Sequence, residues 1–413
     1  MTAAPRAGAA GEGAGGRIGT LDLLRGLAVL GILTVNIAAF ADIPAAAYGP
    51  RPTGLPSAAD HLTFAATMVL FEGKMRALFS TLFGASLLLF VQRAEARGRD
   101  GARLQVRRLG WLALFGYLHF LLLWEGDILF LYAVAGLVAL PLRQLAPRAL
   151  LATGLAAFVL WQAWGASLWT DLAVAEQAVA QGSADSEQAR MVAERAAQVE
   201  ARHAEALALA RGSYAGQVLD RLVNRPAQPL AGTLYSGGET LAYILIGMAL
   251  LRSGFLSGGW TRQQLAGLAL GGVGLGGAMT LAFTGWALAR GWPDAAMHLA
   301  INYALSMPHL LMALGYMAGL VLLAGPLLQR RAGRWLQAAG RMTLTCYIGT
   351  SLVMTAIFHG WGLDLVGRFG PAAQAGFVIL GWALMLGFSR WWLAHHRQGP
   401  LEALWRRLSA PRG

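Results

Sequence analysis

The sequence predicts an all-α protein, a polytopic transmembrane helical bundle of about ten spans with one extracytoplasmic helical connector. Three observations predict it. Of 413 residues, 56% are apolar and 13% charged, with a mean hydropathy of +0.51, too little charge to cover a water-exposed surface of this size. Apolar runs of roughly bilayer-crossing length recur along the whole chain. Arginine is concentrated in alternate loops between those runs, as in a chain threaded back and forth through a membrane.

The runs fall near residues 21–41, 75–92, 107–124, 127–142, 149–170, 238–251, 265–289, 298–325, 342–358 and 373–393. They divide the chain into a cytoplasmic N-terminus (1–20), a first half of about five spans (21–170), a connector (171–237), a second half of about five spans (238–395) and a cytoplasmic tail (396–413). The first run is longer than a secretory signal core and holds Asp22, Arg25 and Asn36, so it is expected to stay as an uncleaved span. One set of loops carries Arg6, Arg17, the cluster from Arg93 to Arg108, Arg143, Arg148, Arg252, Arg262, the group from Arg330 to Arg341, and the C-terminal arginines up to Arg412. The opposite short loops carry only Arg51, Arg290 and Arg368. The positive-inside rule then puts both termini in the cytoplasm of a bacterial inner (plasma) membrane. The connector mixes Arg190, Arg195, Arg202 and Arg211 with Glu187, Glu194, Glu200 and Glu205, as one or two solvated helices would. Tryptophan, at 14 residues, is frequent near span ends, where its ring suits the headgroup region.

Composition also excludes function classes. The formal charge of +12 sits in short clusters between spans, so it is a topology signal and no nucleic-acid partner is expected. The single cysteine, Cys346, lies in an apolar run, so the chain forms no internal disulfide. No glycine loop ends in Lys-Ser/Thr, no serine-nucleophile elbow exists, and no metal-ligand spacing is found. Neither a metal nor a tightly bound cofactor is expected.

Polar residues in or beside spans need a reason, because ionisable groups in hydrocarbon are costly. Asp22 and Arg25 are three apart and can pair on one helix face. Asn36, further along the same span, needs a neighbouring helix or a ligand for its amide. Glu72, Lys74 and Arg76 form the densest charge cluster beside a span. With 61–71 as an interfacial or re-entrant helix and Gly73 as the bend, they fall at the extracytoplasmic boundary. There they either snorkel to water or hold an anionic group. Glu125 and Asp127 sit in a tight outer turn, one and a half helical turns after His119, a set suited to acid/base work or to a solvated turn. Glu239 opens the sixth span, and His298 and Asn302 share a face of the eighth, ahead of Pro308 and His309. By topology most of these groups, from Asn36 to His298, gather in one outward-facing polar cavity.

Several segments resemble a known family. Leu21-Asp22-Leu23-Leu24-Arg25-Gly26, with Asn36 following, resembles the opening of the YeiB-like membrane proteins, domain of unknown function 418. Lys74-Met75-Arg76-Ala77-Leu78-Phe79-Ser80-Thr81-Leu82-Phe83-Gly84 is similar to their second signature, and Gly126-Asp127-Ile128-Leu129 with Tyr132-Ala133 looks like the third. Leu245-Ile246-Gly247-Met248-Ala249-Leu250, Gly340-Arg341-Met342-Thr343-Leu344-Thr345 and Gly399-Pro400-Leu401-Glu402 resemble later ones. Cys346 stands where the family usually has Asn. The resemblance implies membership of a wider group of transmembrane acyltransferases, which includes a lysosomal glucosaminide acetyltransferase. In that enzyme an Asn ends the first span and a luminal-loop His assists acetyl transfer from acetyl-CoA. Asn36 matches the Asn; the loop position falls near Ala47, and the nearest histidine is His61.

The resemblance thus implies an acyltransferase that moves an acyl group from a cytoplasmic donor such as acyl-CoA to an extracytoplasmic small-molecule, sugar or lipid acceptor. Asn36, His119, Glu125 and Asp127 are then the catalytic candidates, and Glu72, Lys74, Arg76, Glu239 and His298 the substrate-binding ones. A transporter of a small metabolite or lipid is the alternative, suggested by the long eighth span, 53 glycines and the midpoint connector. A non-catalytic membrane partner that docks through residues 171–237 is the third.

Overall fold

Helix boundaries follow local chemistry throughout the structure, a computed structural model that describes residues 9–42, 44–49 and 57–410. Arg6, Arg51 and Arg412, three of the arginines behind the expected topology, lie outside the described residues. Among those residues, the regular structure is entirely helical. The first half comprises α1 (Ala9–Ala41), α2 (Ala58–Leu70), α3 (Lys74–Glu95), α4 (Gly101–Leu122), α5 (Leu129–Leu142) and α6 (Pro147–Ala180). The connector holds α7 (Ser186–Ala210) and α8 (Tyr214–Val223). The second half comprises α9 (Gln228–Arg252), α10 (Arg262–Ala289), α11 (Asp294–Leu299), α12 (Ser306–Gln329), α13 (Arg331–Arg341), α14 (Thr343–Phe358), α15 (Pro371–His395) and α16 (Pro400–Ser409). Ser57 with Asp60, Asp185 with Gln188, and Thr261 with Gln264 form reciprocal capping boxes that start α2, α7 and α10. Prolines, whose missing N–H costs nothing there, open α6, α15 and α16.

Seven helical stretches are long and apolar enough to cross a membrane: Gly19–Ala41 of α1, α2 together with α3, and α6, α9, α10, α12 and α15. α13 and α14, bent by 85°, make an eighth when taken together. The protein is therefore a multi-pass membrane protein. All ten expected runs lie on helices, but two fall short as crossings. α4 interrupts its apolar sequence with Arg103, Arg107, Arg108 and His119, and α5 has only 14 residues. The eighth run, long enough for either a tilt or a break, is broken. A π turn at Ala300–Ala304 separates α11 from α12, while Pro308 sits in the first turn of α12, where proline is tolerated. α6 continues to Ala180 and α9 begins at Gln228, so both helices run into the segment 171–237.

α1, α3 and α9 are the most enclosed spans, whereas α6, α10 and α15 turn leucine and isoleucine outward (Leu160, Leu168, Leu270, Leu275, Ile379). That face is suited to hydrocarbon. α3 and α9 cross at Gly84 and Gly247, where a Cβ would overlap the backbone of Ile244 or Thr81. Both glycines belong to segments singled out in the sequence, and the backbones touch because nothing projects between them. Gly247→Ala is expected to destabilise the bundle by about 1–3 kcal/mol, read as a lower melting temperature in detergent.

The connector is strapped to both halves. Arg195 of α7 pairs with Asp294 of α11 at 2.9 Å, and His203 approaches Asp42 at the end of α1 at 3.6 Å. Arg225, just after α8, pairs with Glu125 at 2.5 Å, and Gln217 of α8 meets His359 at the end of α14 at 2.9 Å.

Candidate functional site

The α4–α5 turn folds inward and is held by hydrogen bonds rather than by solvent. Asp127 accepts from Phe130 N–H at 2.8 Å through Oδ2, starting α5, and its Oδ1 lies 3.0 Å from His119 Nδ1. Both side chains are buried, and His119 Nε2 has no hydrogen-bond partner. The Tyr347 hydroxyl, from the first turns of α14, donates to Gly126 O (3.2 Å) and accepts from Ile128 N–H (3.3 Å). Its ring lies 5.0 Å from the His119 imidazole. Trp124 stacks on Phe40 at 4.0 Å, and Asn36, one turn earlier on α1, shares the face of Phe40. This arrangement leaves one imidazole nitrogen open while a carboxylate holds the other, which is the geometry of a general base. Glu125 does not join it; its carboxylate is taken by Arg225, which also pairs with Asp220.

Two cavities flank this centre. The larger, about 230 Å³, is lined by Arg25, Arg108, Arg341, Trp405, Tyr132 and Tyr347. Arg25 is tied to Asp22 (3.1 Å) and Ser86 (2.6 Å), while Arg108 is stacked on Phe90 and Trp405 at 4.0 and 4.4 Å with its Nε unpartnered. His119 is eleven residues beyond Arg108 on α4, about 16 Å at the helical rise, and the cavity reaches its neighbours Ile128 and Tyr347. The smaller, about 50 Å³, lies on the far side of Trp124 and is lined by Asp42, Glu125, Gln217, Arg221 and His359.

His359 is pushed from its ordinary 6.5 down to about 4 by burial and by the nearby Arg221 guanidinium. Between these values the unfolded chain binds a proton that the folded one refuses. Its contribution to stability, about 3 kcal/mol, is thus full above pH 6.5 and erodes as the pH falls towards 4. Melting temperatures of the wild type should drop across that window more steeply than those of His359→Gln.

Glu72, Lys74 and Arg76, which the sequence reading put at the extracytoplasmic boundary, lie level with the middles of the neighbouring helices α1 and α9. α2 packs against α10 and α15 and, with α3, forms one 38-residue candidate span, so the break between them is internal. Met75 abuts Gly31, halfway along Gly19–Ala41, and Arg76 pairs at 3.1 Å with Glu239, halfway along α9. Glu239 also accepts from Tyr243 (2.8 Å) and Gln162 (3.3 Å). Lys74, fully buried, donates to Met68 O at 2.7 Å, and Glu72 accepts from Gly73 N–H at 3.0 Å. Gly73, at φ +70°, both makes the turn and leaves room for His309, a buried imidazole with neither nitrogen partnered. Arg76 keeps 30% of its side chain accessible although it lies deep among the helices, so it faces internal space. His298 sits elsewhere, between Tyr48 and Trp169 at 3.5 and 4.6 Å, beside the Arg195 strap. The expected single outward cavity is therefore replaced by three separate polar places, because depth along a span does not fix which neighbour a side chain faces.

Comparison with known proteins bears on the chain as a whole. Residues 250–412 match the family described as "Protein of unknown function (DUF418)". The chain is 32% identical over 397 residues to "Uncharacterized protein YeiB" of Escherichia coli (strain K12), covering 94% of this chain and 95% of that one. It is 31% identical over 406 residues to "Uncharacterized protein YxaH" of Bacillus subtilis (strain 168), covering 94% and 93%. The chain belongs to the YeiB-like DUF418 family. No solved structure matches it.

The YeiB-like segments meet one another in space. Gly340, in one, abuts the backbone of Asp22 in another, and Glu402, in a third, caps α14 by accepting from Leu344 and Thr345 N–H at 2.8 and 3.0 Å. Tyr347 and Arg225 were not site candidates in the sequence reading; Tyr132 and Arg341 entered it only within the YeiB-like segments or as topology, and Arg108 only as a topology marker. Position inside the YeiB-like segments was the available signal for Tyr132 and Arg341; for Arg225, far along the connector, there was none.

Proposed function

We propose that this YeiB-like protein transfers an acyl group across the membrane, from a phosphate-bearing thioester donor such as acyl-CoA to a hydroxyl or amine on the other side. The observation that carries the reading is the His119–Asp127 pair, with its unpartnered Nε2, whose neighbours Ile128 and Tyr347 line an arginine-rich cavity and whose neighbours Trp124 and Glu125 line a connector-covered pocket. With the arginine-rich end in the cytoplasm, as the positive-inside rule requires, the donor's phosphates meet Arg108 and Arg341 and its acyl end reaches Tyr347. His119 Nε2 takes the acceptor's proton as its oxygen or nitrogen attacks the acyl carbonyl. Asp127 holds the imidazole in the required tautomer. Asn36 offers its amide N–H to the developing oxyanion. The carbon–sulfur bond then breaks, and the proton held on His119 passes to the departing thiolate.

Purified protein in vesicles, given labelled acyl-CoA on the arginine-rich side, should deliver label to acceptors on the other. Arg108→Gln is expected to raise KM for the donor about tenfold with kcat little changed, since it removes a charged contact to the bound donor and leaves the centre alone. A donor KM unmoved by this change would reject the arginine cavity as the donor site. A carrier reading rests on a different observation, the Arg76–Glu239 pair midway along α9 with Arg76 facing internal space. Movement of substrate across the vesicle without covalent change would favour it.

A further inference from the structure

A third cavity, about 270 Å³, lies between α1, α2 and α15. Its walls are hydrocarbon: Val35, Ile37, Phe64, Met68, Val378 and Trp382. Several of its polar side chains are engaged within the protein. Trp382 Nε1 donates to Leu30 O at 2.9 Å, Gln374 Nε2 to Phe369 O at 2.8 Å and Thr34 Oγ1 to Leu30 O at 3.5 Å. Glu72 closes the deep end with its Oε1 turned to Gly73 N–H. Ile379, which lines the cavity, is 64% exposed on α15, so the slot opens onto the outer, lipid-facing surface. From Thr34 to Asp42 it runs about 12 Å along α1. Asp42 belongs to both this slot and the small pocket beside Trp124 and Glu125, so the two adjoin at the connector end.

We infer that the acceptor is a membrane lipid, with one hydrocarbon tail seated in this slot and its hydroxyl- or amine-bearing head in the pocket beside Trp124. The inference rests on the acyl-transfer reading and names the acceptor for the same centre. A water-soluble acceptor would gain little from a slot walled mainly by hydrocarbon, whereas a lipid tail exchanges one hydrocarbon environment for another and enters sideways past Ile379. The Asp42 carboxylate, which lines both spaces, then faces the head with oxygens that accept from O–H or N–H.

The test uses the full chain in vesicles of phosphatidylethanolamine and phosphatidylglycerol, doped with phosphatidylethanolamine carrying a mid-chain diazirine. After illumination, label on peptides covering 34–38 of α1 and 374–382 of α15 is expected in the wild type, in addition to surface label on α10. Label confined to outward faces such as that of Leu270 overturns the inference. Ala375→Phe, which fills the slot, should cut label at 34–38 about tenfold and slow transfer to lipid, while label on α10 and the donor KM stay unchanged. Slot label that survives this substitution also overturns it. Slot labelling in a protein that turns over no acyl donor would sink the acyl-transfer reading and leave the lipid site standing. Turnover without slot labelling would sink the lipid site alone.

Discussion

His119→Ala is expected to lower acyl transfer by about 10²–10⁴-fold, the usual contribution of a positioned general base. The measurement is transfer of label from acyl-CoA to lipid in vesicles, with protein folding checked by thermal melting. Nε2 is the only unpartnered atom of a buried imidazole whose other nitrogen is bound to Asp127, so loss of the ring removes the proton acceptor without opening the donor cavity. The fall should therefore appear in kcat, with the donor KM unchanged. Asp127→Asn keeps the shape of the side chain and the bond from Phe130 N–H, but its amide can present N–H to Nδ1 and favour the wrong tautomer. It should fall nearly as far. Glu125→Gln, which touches only the Arg225 strap, should stay close to wild type in turnover. Transfer undiminished in both His119→Ala and Asp127→Asn rules out this centre.

The second large effect belongs to the Arg76–Glu239 pair. Arg76→Met leaves the Glu239 carboxylate buried with only Tyr243 and Gln162 as donors, and is expected to destabilise the bundle by about 3–5 kcal/mol. Adding Glu239→Gln removes the stranded charge, so Arg76→Met/Glu239→Gln should melt well above Arg76→Met alone. A double-mutant cycle by melting in detergent reads the coupling directly. Additive losses would mean that the two groups do not depend on each other. If the carrier reading holds, the double substitution also stops flux despite its restored stability; if acyl transfer holds, turnover returns with the fold.

The all-helical, multi-pass architecture was legible because hydrocarbon length and arginine placement are one-dimensional signals. The ten runs all emerged on helices, and the length of the eighth allowed either a tilt or a break. The pairing of His119 with Asp127 was half legible: the sequence grouped both among the acid/base candidates, but the inward fold of the turn depends on Tyr347, more than two hundred residues away. The level of Glu72, Lys74 and Arg76 was not legible because it depends on α2 continuing towards α3 between α10 and α15, a packing outcome with no local signature. Glu125 was read as a base because the sequence held no sign that Arg225 would reach it.

The way the connector is fastened limits what the two halves can do. A protein that works by rocking one half against the other must part them at every cycle. Here Arg195, His203, Gln217 and Arg225 would each have to let go of an anchor, two on the first half and two on the second. Such a buckle favours a rigid body in which chemistry reaches from one compartment to the other while the scaffold stays still.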